Sequence, residues 1–323
     1  MPALNRIKAL QLVVLLLLIG ALLGILHGKG VLGSPVNGFD LSEALVPVEE
    51  IRHGGPPRDG IPAIDRPRFV DAGEADFLAL EDRVLGIVRN GVAKAYAVRI
   101  LDYHEIVNDR VGGEPITVTY CPLCGTGMAF LAERDGREVS FGVSGLLYNS
   151  DMLLYDRETE SLWSQIMARA ISGPLRGTEL TSVPISHTTW ADWQARHPET
   201  QVLSTDTGHR RDYSRSPYPS YESSEQIYFP VSHRSRRYHP KERVIGLELN
   251  GESKAYPFAE LARTGQAIED RLGGQPIRIE FDAEHRTGRV LAADGSEIPS
   301  VIGFWFAWIA FHPESAIYTA IDG

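Results

Sequence analysis

The stretch RVLGIVRNGVAKAY, residues 83–96, returns as RVIGLELNGESKAY at residues 243–256. In each copy an Asn-Gly pair separates two apolar-rich runs, and this pattern is the strongest short-range signal for a β-hairpin. A second match follows in the same order and at nearly the same spacing, as NDRVGGEPI at residues 108–116 and EDRLGGQPI at residues 269–277. The chain therefore contains an internal repeat, and each copy is predicted to open with a hairpin.

Each copy is predicted to continue with a short helical turn and a closing strand. The helical turns are expected at residues 100–107 and 258–262, and the strands at residues 116–120 and 277–281. These elements make two related β-β-α-β units in a β-rich α+β fold. Because one unit alone is too short to bury a core, both are expected in one compact body.

The rest of the chain is divided around this repeat. A membrane anchor or signal segment is predicted at residues 1–27, a Gly- and Pro-rich segment at residues 28–75, and a globular body at residues 76–323. The body holds copy one at residues 83–127, a large insert at residues 128–242, and copy two at residues 243–291. Two further helices are predicted, at residues 188–196 within the insert and at the apolar run 304–311.

The amino-terminal sequence predicts a membrane segment. Arg6 and Lys8 precede residues 9–26, which are apolar and carry no charge. This length lies at the boundary between a spanning helix and a long signal peptide. The preceding positive charges place the amino terminus inside and the body on the extracytoplasmic side. We expect an uncleaved helix in the cytoplasmic membrane; the alternative is secretion after signal cleavage.

Composition excludes several classes of protein. A hydrophobic content of 43% and a charged content of 23% are typical of a globular chain. The formal net charge of −10 argues against a nucleic-acid partner, because phosphate binding needs clustered Lys and Arg. The common hydrolase, nucleotide-binding and zinc-protease motifs are absent from the sequence. A small-molecule or protein partner is not identified by these patterns.

The two cysteines of the chain lie in CPLCGTG, residues 121–127, at the end of copy one. A Cys-x-x-Cys pair can hold a soft metal ion or cycle between dithiol and disulfide. As a structural disulfide the pair would close a very short loop and stabilise the fold little. The glycines that follow oppose a helix, so the motif resembles a metal-binding turn more than a thioredoxin-type redox motif.

Comparison of the two copies adds a third candidate ligand. Asp282 and His285 align with Cys121 and Cys124, and no histidine of copy two aligns with His104. Because all three residues are confined to copy one, Cys121, Cys124 and His104 are predicted to form one site. Two thiolates and one imidazole suit a single copper or zinc ion and leave a coordination position open. The same cysteines are the redox candidates if no metal binds.

Polar residues of the insert form a second candidate site. Strand alternation places Asp151 and Tyr155 on one face of a strand, with Trp163 on a neighbouring strand. Such a face could line a cleft, although the same residues suit tight turns. The predicted pocket residues are Ser144, Asn149, Asp151, Asp156, Trp163 and His187.

Four motifs together resemble one protein family. They are TYCPLCGTG from Thr119, FGVSG from Phe141, YDRETESLW from Tyr155 and KAYP from Lys254. With these motifs the chain resembles the uncharacterised family called domain of unknown function 3179, over residues 38–315. The resemblance implies a secreted or membrane-tethered prokaryotic protein, and it implies no activity and no catalytic residues.

Three classes of function follow from these observations. A metal-dependent enzyme or redox protein would have an open coordination position beside a lined cleft. A non-catalytic metal carrier, for copper, would expose the cysteine pair. A binding or structural module would bury the pair far from any histidine. The substrate and the identity of the metal do not follow from the sequence.

Overall fold

The computed structural model describes residues 36–320. Strands make up 41% and helices 11% of it, which confirms the prediction of a β-rich fold with few helices. The predicted membrane segment at residues 1–27 lies outside the described residues. Between residues 36 and 320, no helix combines the length and the apolar character needed to cross a membrane.

Most of the elements are short antiparallel strands. The first twelve are β1 (Ile51–His53), β2 (Phe69–Asp71), β3 (Arg83–Arg89), β4 (Val92–Ala97), β5 (Ile106–Val111), β6 (Glu114–Cys121), β7 (Thr126–Leu131), β8 (Glu133–Arg134), β9 (Arg137–Glu138), β10 (Phe141–Tyr148), β11 (Asp151–Asp156) and β12 (Leu162–Ser164). They are followed by β13 (Arg169–Ser172), β14 (Ser182–Val183), β15 (Ser186–Thr189), β16 (Gln201–Leu203), β17 (Arg243–Leu249), β18 (Glu252–Pro257), β19 (Ile268–Leu272), β20 (Gln275–Asp282), β21 (Thr287–Ala292), β22 (Glu297–Ile298), β23 (Val301–Phe304) and β24 (Ala316–Ile317). The α-helices are α1 (Val98–Leu101), α2 (Trp190–Arg196), α3 (Phe258–Thr264) and α4 (Trp305–Phe311), and 3-10 turns lie at Val48–Glu50 and Ala72–Glu74.

One sheet joins the two copies. It has the strand order β24-β18-β17-β23-β7-β6-β5, so β23, which follows copy two in the chain, links β17 of copy two to β7 and β6 of copy one. A second has the order β15-β3-β4-β16-β2, and a third, β19-β20-β21-β22, lies against it through β21 and β15. A fourth sheet, β1-β10-β11-β12-β13, comes mostly from the insert.

The hairpins predicted at the Asn-Gly pairs are confirmed. Strand β3 pairs with β4 and strand β17 with β18 in the same register, Gly86 opposite Ala95 and Gly246 opposite Ala255. An ion pair also recurs, since Lys94 Nζ lies 2.8 Å from Asp109 Oδ2 and Lys254 Nζ 2.6 Å from Asp270 Oδ2; the first pair is buried and the second partly buried. The repeat in sequence is therefore a repeat in hydrogen bonding and charge.

Each copy contains one more hairpin than the predicted β-β-α-β unit. The helical turn predicted over residues 100–107 ends at Leu101, and Ile106 already belongs to β5. Strands β5 and β6 then pair around Gly112-Gly113, as β19 and β20 pair around Gly273-Gly274. The sequence Gly-Gly is itself a tight-turn signal, and it recurs in both copies.

The repeat also extends beyond the predicted limits of both copies. Strand β15 and helix α2 follow copy one, as strand β23 and helix α4 follow copy two. Trp193 of α2 packs on His197 with ring centroids 4.2 Å apart, and Trp308 of α4 packs on His312 at 3.9 Å. The matching sequences are WADWQARHPET from Trp190 and WFAWIAFHPES from Trp305. Both predicted helices are present. They begin 115 residues apart, whereas the other repeated segments recur about 160 residues apart. An alignment at constant spacing therefore does not reveal that the two helices are equivalent.

Candidate functional site

Two hairpin tips meet in the interior and bring the cysteines to one carboxyl group. The turn between β6 and β7 carries Cys121 and Cys124, and the turn between β10 and β11 carries Ser150 and Asp151. The two sulfurs lie 3.8 Å apart. Ligand atoms of Cys121, Cys124 and Asp151 all lie within 4.8 Å of one another. Both cysteines are free thiols, and all three residues are buried.

Local backbone geometry explains this meeting. The amide of Cys124 donates to the carbonyl of Cys121 at 3.2 Å, which closes a tight turn. Gly125 has φ +63°, and a Cβ atom there would lie 2.8 Å from the Phe304 ring. Glycine is therefore required both for the backbone conformation and for the close approach to copy two. On the facing tip, the carbonyl of Ser150 lies 3.4 Å from Cys124 Sγ.

Burial controls the charge of all three groups. It raises the pKa of the Cys121 thiol and raises that of Cys124 well above its usual value. Burial also raises the pKa of Asp151 to about 7, although hydrogen bonds oppose this effect. Asp151 Oδ2 accepts from the Ile166 amide at 3.1 Å, while Oδ1 is buried without a hydrogen-bond partner among the described residues. The site thus holds three groups that a positive ion would deprotonate.

Further polar residues surround the cysteines, and sequence reasoning missed them. Burial, with contributions from Asp151 and Asp102, raises the pKa of Glu105 to about 8. Lys241 Nζ lies 3.9 Å from the centre of the Tyr221 ring, and burial lowers the pKa of Lys241 to about 8. The Tyr221 hydroxyl is buried without a partner in the described chain. Glu105 adjoins His104 in sequence, but no motif marked it, although its charge acts on the pKa of Cys121.

A long loop covers this site. Residues 204–242, between β16 and β17, contain no helix or strand. Several of their apolar side chains pack in the same cluster as the cysteines, namely Tyr218, Tyr221, Ile227, Phe229 and Val231. Long loops without secondary structure in compact domains are usually functional. The loop excludes water from the thiols and from Asp151.

His104 does not join the cysteines, and its predicted role as a third ligand is not supported. Its Nδ1 lies 2.8 Å from the carbonyl of Pro62, and its Nε2 lies 2.6 Å from the Tyr213 hydroxyl. Burial lowers the pKa of His104 to about 4, so the ring is neutral. Both ring nitrogens are thus committed to hydrogen bonds that fix the chain around it. Asp151, rather than His104, is the third possible ligand beside the two cysteines.

Most of the predicted pocket residues have structural partners. Ser144 donates to the Leu153 carbonyl at 2.5 Å, and Asn149 accepts from the Ser232 amide at 2.7 Å. Asp156 accepts from the Trp163 indole at 2.9 Å, so these two candidates bond to each other. Asp151 belongs to the cysteine site. His187 lies elsewhere, against Tyr120 with ring centroids 6.0 Å apart.

The residues of copy two that align with the cysteines form a comparable group. Ligand atoms of Asp192, Asp282 and His285 also lie within 4.8 Å of one another. These atoms already have partners, since Asp192 bonds to Arg196 at 2.6 Å and His285 Nδ1 lies 3.1 Å from Thr189 Oγ1. The group is also partly exposed, unlike the cysteine site. Its ion pair and turn bonds account for its geometry.

The donor set at the cysteine site fits a transition metal ion. Thiolate sulfur selects zinc or copper over magnesium or calcium, and a carboxylate oxygen is an accepted third ligand of zinc. The unpartnered Asp151 Oδ1 offers a lone pair beside the two sulfurs. Cys121, Cys124 and Asp151 are therefore the residues that would hold such an ion.

Comparison with known proteins places the chain in a family. No curated protein and no solved structure matches the sequence. The model of the family described as "Protein of unknown function (DUF3179)" matches residues 58–294. This span holds both hairpin tips of the site and most of both copies, and it agrees with the resemblance carried by the four motifs. The chain belongs to the DUF3179 family of proteins of unknown function.

Proposed function

We propose that this protein binds one thiophilic transition metal ion, zinc or copper, through Cys121, Cys124 and Asp151. The observation that carries the proposal is the meeting of three buried ligand atoms within 4.8 Å of one another. A buried carboxyl oxygen without a partner is costly, and it persists only where something offsets that cost. A metal ion would supply the missing interaction.

The distance between the sulfurs supports a metal centre. Two metal–sulfur bonds of about 2.3 Å at a tetrahedral angle hold their sulfurs about 3.8 Å apart. Cys121 Sγ and Cys124 Sγ are separated by 3.8 Å. The turn therefore presents both sulfurs at the spacing that a tetrahedral ion requires.

The ligand count favours catalysis over transport or a purely structural role. Three protein ligands leave a fourth position for water or substrate, as in catalytic zinc sites. Glu105, with its pKa raised to about 8, is a candidate proton donor or acceptor beside that position. Burial of both sulfurs under the loop disfavours a carrier, which must hand its ion to a partner. Burial of the pair away from His104 is what a structural module predicts, but a pair that served only as a turn would gain nothing from the buried Asp151 carboxyl group beside it.

Metal analysis of the purified full-length protein tests the proposal. We expect about one zinc or copper equivalent per chain, lost in Cys121→Ser and Cys124→Ser and strongly reduced in Asp151→Asn. His104→Ala is the matched control, because His104 is equally buried yet bonds elsewhere; it should keep the metal. A metal-free wild type, or loss of metal in His104→Ala but not in Asp151→Asn, would refute this ligand set.

Thiol–disulfide chemistry is the second candidate. The two sulfurs are close to van der Waals contact, and Asp151 could accept a proton from a neighbouring thiol. Oxidation would join the sulfurs and release two protons, with two electrons passing to a disulfide-bearing partner. Metal-free protein with a reversible Cys121–Cys124 disulfide, measured by thiol titration, would favour this function over the metal centre.

We also infer that the site works outside the cytoplasm, on a body tethered by residues 9–26. Arg6, Lys8 and the uncharged apolar run support this placement. Reporter fusions after residue 320 test whether the body lies outside or inside the cytoplasm. A phosphatase that is active only outside the cytoplasm should be active, and a protein that fluoresces only in the cytoplasm should not fluoresce. Fractionation then separates a membrane-bound chain from one secreted after cleavage.

A further inference from the structure

Two arginines at equivalent positions of the repeat approach one buried histidine. Arg83 begins β3, and Arg243 begins β17. Arg83 Nη2 donates to the carbonyl of His187 at 2.5 Å, and its Nη1 donates to the carbonyl of His285 at 2.7 Å. After burial, the charges of Arg83, Arg243 and Arg286 are what lower the pKa of His187. All three arginines therefore lie close enough to His187 to act on its charge, and Arg83 bonds to its backbone.

Several nitrogen atoms of this group have no partner. Arg83 Nε, Arg243 Nη1 and both ring nitrogens of His187 are buried without a hydrogen bond to any described residue. The Arg243 side chain is 3% exposed and His187 is 1% exposed, so these atoms do not face open solvent. Native proteins rarely leave buried donors unpaired, and each such group calls for an explanation. Here one N–H of each arginine and both nitrogens of one imidazole are unpaired within residues 36–320.

Positive charge at this place is only partly balanced. Burial and the charges of Arg243 and Arg286 together lower the pKa of Arg83 to about 9. Among residues 36–320, the carboxylate that bonds to the pair is Glu222, whose Oε1 accepts from Arg243 Nη2 at 2.6 Å. Glu222 is 56% exposed, and Arg243 Nη1 has no hydrogen-bond partner in the same part of the chain. An added anion would both neutralise the repulsion and pair the donors.

We propose that Arg83, Arg243 and His187 form a binding site for one oxyanion at the junction of the two repeat copies. Guanidinium N–H groups donate to phosphate and carboxylate oxygens, and each of these arginines keeps one buried donor, Arg83 Nε and Arg243 Nη1, without a partner among the described residues. Arg286 and Glu222 are exposed, so the site opens to solvent beside them. It adjoins the cysteine site, because Tyr120 packs on His187 and precedes Cys121 in the chain.

Calorimetric titration of the full-length protein tests this site. Inorganic phosphate, sulfate and acetate are added separately, with chloride holding the ionic strength constant. We expect saturable binding of at least one anion, one per chain. Arg83→Lys and Arg243→Lys keep the charge but remove the unpaired donors Arg83 Nε and Arg243 Nη1, so each should weaken binding at least tenfold. If phosphate or sulfate binds, the ligand of the site carries a tetrahedral oxyanion. If only acetate binds, the ligand carries a carboxylate.

Matched variants keep the result interpretable. Arg271→Lys is the control, because Arg271 is an exposed arginine of copy two that bonds to the Gly274 carbonyl; it should bind as the wild type does. If Arg243→Lys does not fold, the anion binding measured for Arg83→Lys tests the site, because Arg83 is partly exposed. Absence of saturable binding, or equal binding by all three variants, overturns the site. Cys124→Ser should keep the anion while losing the metal, so the two proposals fail separately.

Discussion

Glu105 illustrates how position, rather than residue type, determines chemistry at the cysteine site. Its side chain is 8% exposed, its backbone has φ +58°, and its carbonyl accepts from the Tyr120 amide at 2.8 Å. That conformation places a carboxyl group inside the protein near Asp151 and Asp102. Burial and these neighbours raise its pKa to about 8, so Glu105 carries a proton at neutral pH.

This proton makes the stability of the metal-free protein depend on pH. The pKa of Glu105 rises from 4.5 in the unfolded chain to about 8 in the native one, so unfolding releases a proton between these values. The free energy of unfolding should therefore fall as pH rises from 4.5 to 8, by up to about 1.4 kcal/mol per pH unit for this group. Glu105→Gln should reduce that slope.

Chemical denaturation of chelator-treated protein at a series of pH values measures the effect. Glu133→Gln is the control, because Glu133 is exposed, and its slope should equal that of the wild type. Asp102 and Asp151, with pKa values raised to about 7, will keep part of the slope in both variants. An unchanged slope in Glu105→Gln would show that Glu105 is ionised in the native state.

At the residue scale, sequence reasoning identified the cysteines but not their partner. Two cysteines in one copy of a repeat are conspicuous in any sequence. Asp151 is among the predicted pocket residues, yet nothing near it in the chain indicates that the tip of β10 and β11 reaches residues 121–124. His104 is unique to copy one, but its ring forms a hydrogen bond with Tyr213. Contacts between distant hairpin tips are not encoded by local patterns.

At the element scale, each copy docks a helix against a glycine of its first strand. A Cβ atom on Gly86 would lie 2.2 Å from the Trp193 ring, and one on Gly246 would lie 2.1 Å from the Trp308 ring. Both indoles also donate to a hydroxyl, Trp193 to Thr200 at 2.9 Å and Trp308 to Ser315 at 2.8 Å. Because these tryptophans are held on both sides, they cannot move away from an added methyl group.

Gly86→Ala and Gly246→Ala should therefore destabilise the protein to a similar extent. Overpacking of this kind costs about 1–3 kcal/mol and sometimes more. Gly73→Ala is the control, since a Cβ atom at Gly73 would meet nothing within 4 Å. Urea unfolding measures the difference as a lower midpoint at an unchanged slope. A change below 0.5 kcal/mol in either variant, comparable to a surface substitution, would contradict the docking shown for that helix.

Elements with local signals were predictable, and those defined by distant pairing were not. The Asn90-Gly91 and Asn250-Gly251 hairpins follow from turn chemistry alone. The helix at Trp190–Arg196 begins two residues later than expected, because Thr189 caps it by accepting from the Asp192 amide at 3.3 Å. Strands β15 and β23 have no strong turn signal, and they form because they pair with β3 and β17. Their pairing partners can be identified only from the three-dimensional structure.

At the scale of the whole molecule, hydrogen bonds join the two copies into one body. Strand β7 of copy one pairs with β23, which follows copy two, at Gly127 and Ile302. The Phe304 amide donates to the Cys124 carbonyl at 2.8 Å, so β23 also holds the cysteine turn. Arg83 of copy one bonds to the carbonyl of His285 in copy two. Separation of the copies would break the sheet and both candidate sites.

The described body should therefore unfold as one cooperative unit, even when its chain is cut. Residues 209–212 in the covering loop are exposed, so a protease site placed there should be cleaved without loss of structure. We expect the two fragments to remain associated on gel filtration, with the metal bound, and to separate only in denaturant. Circular dichroism and tryptophan fluorescence should report one coincident transition for the uncut protein. Two transitions, or a fragment that stays folded after separation, would mean that one copy can fold alone.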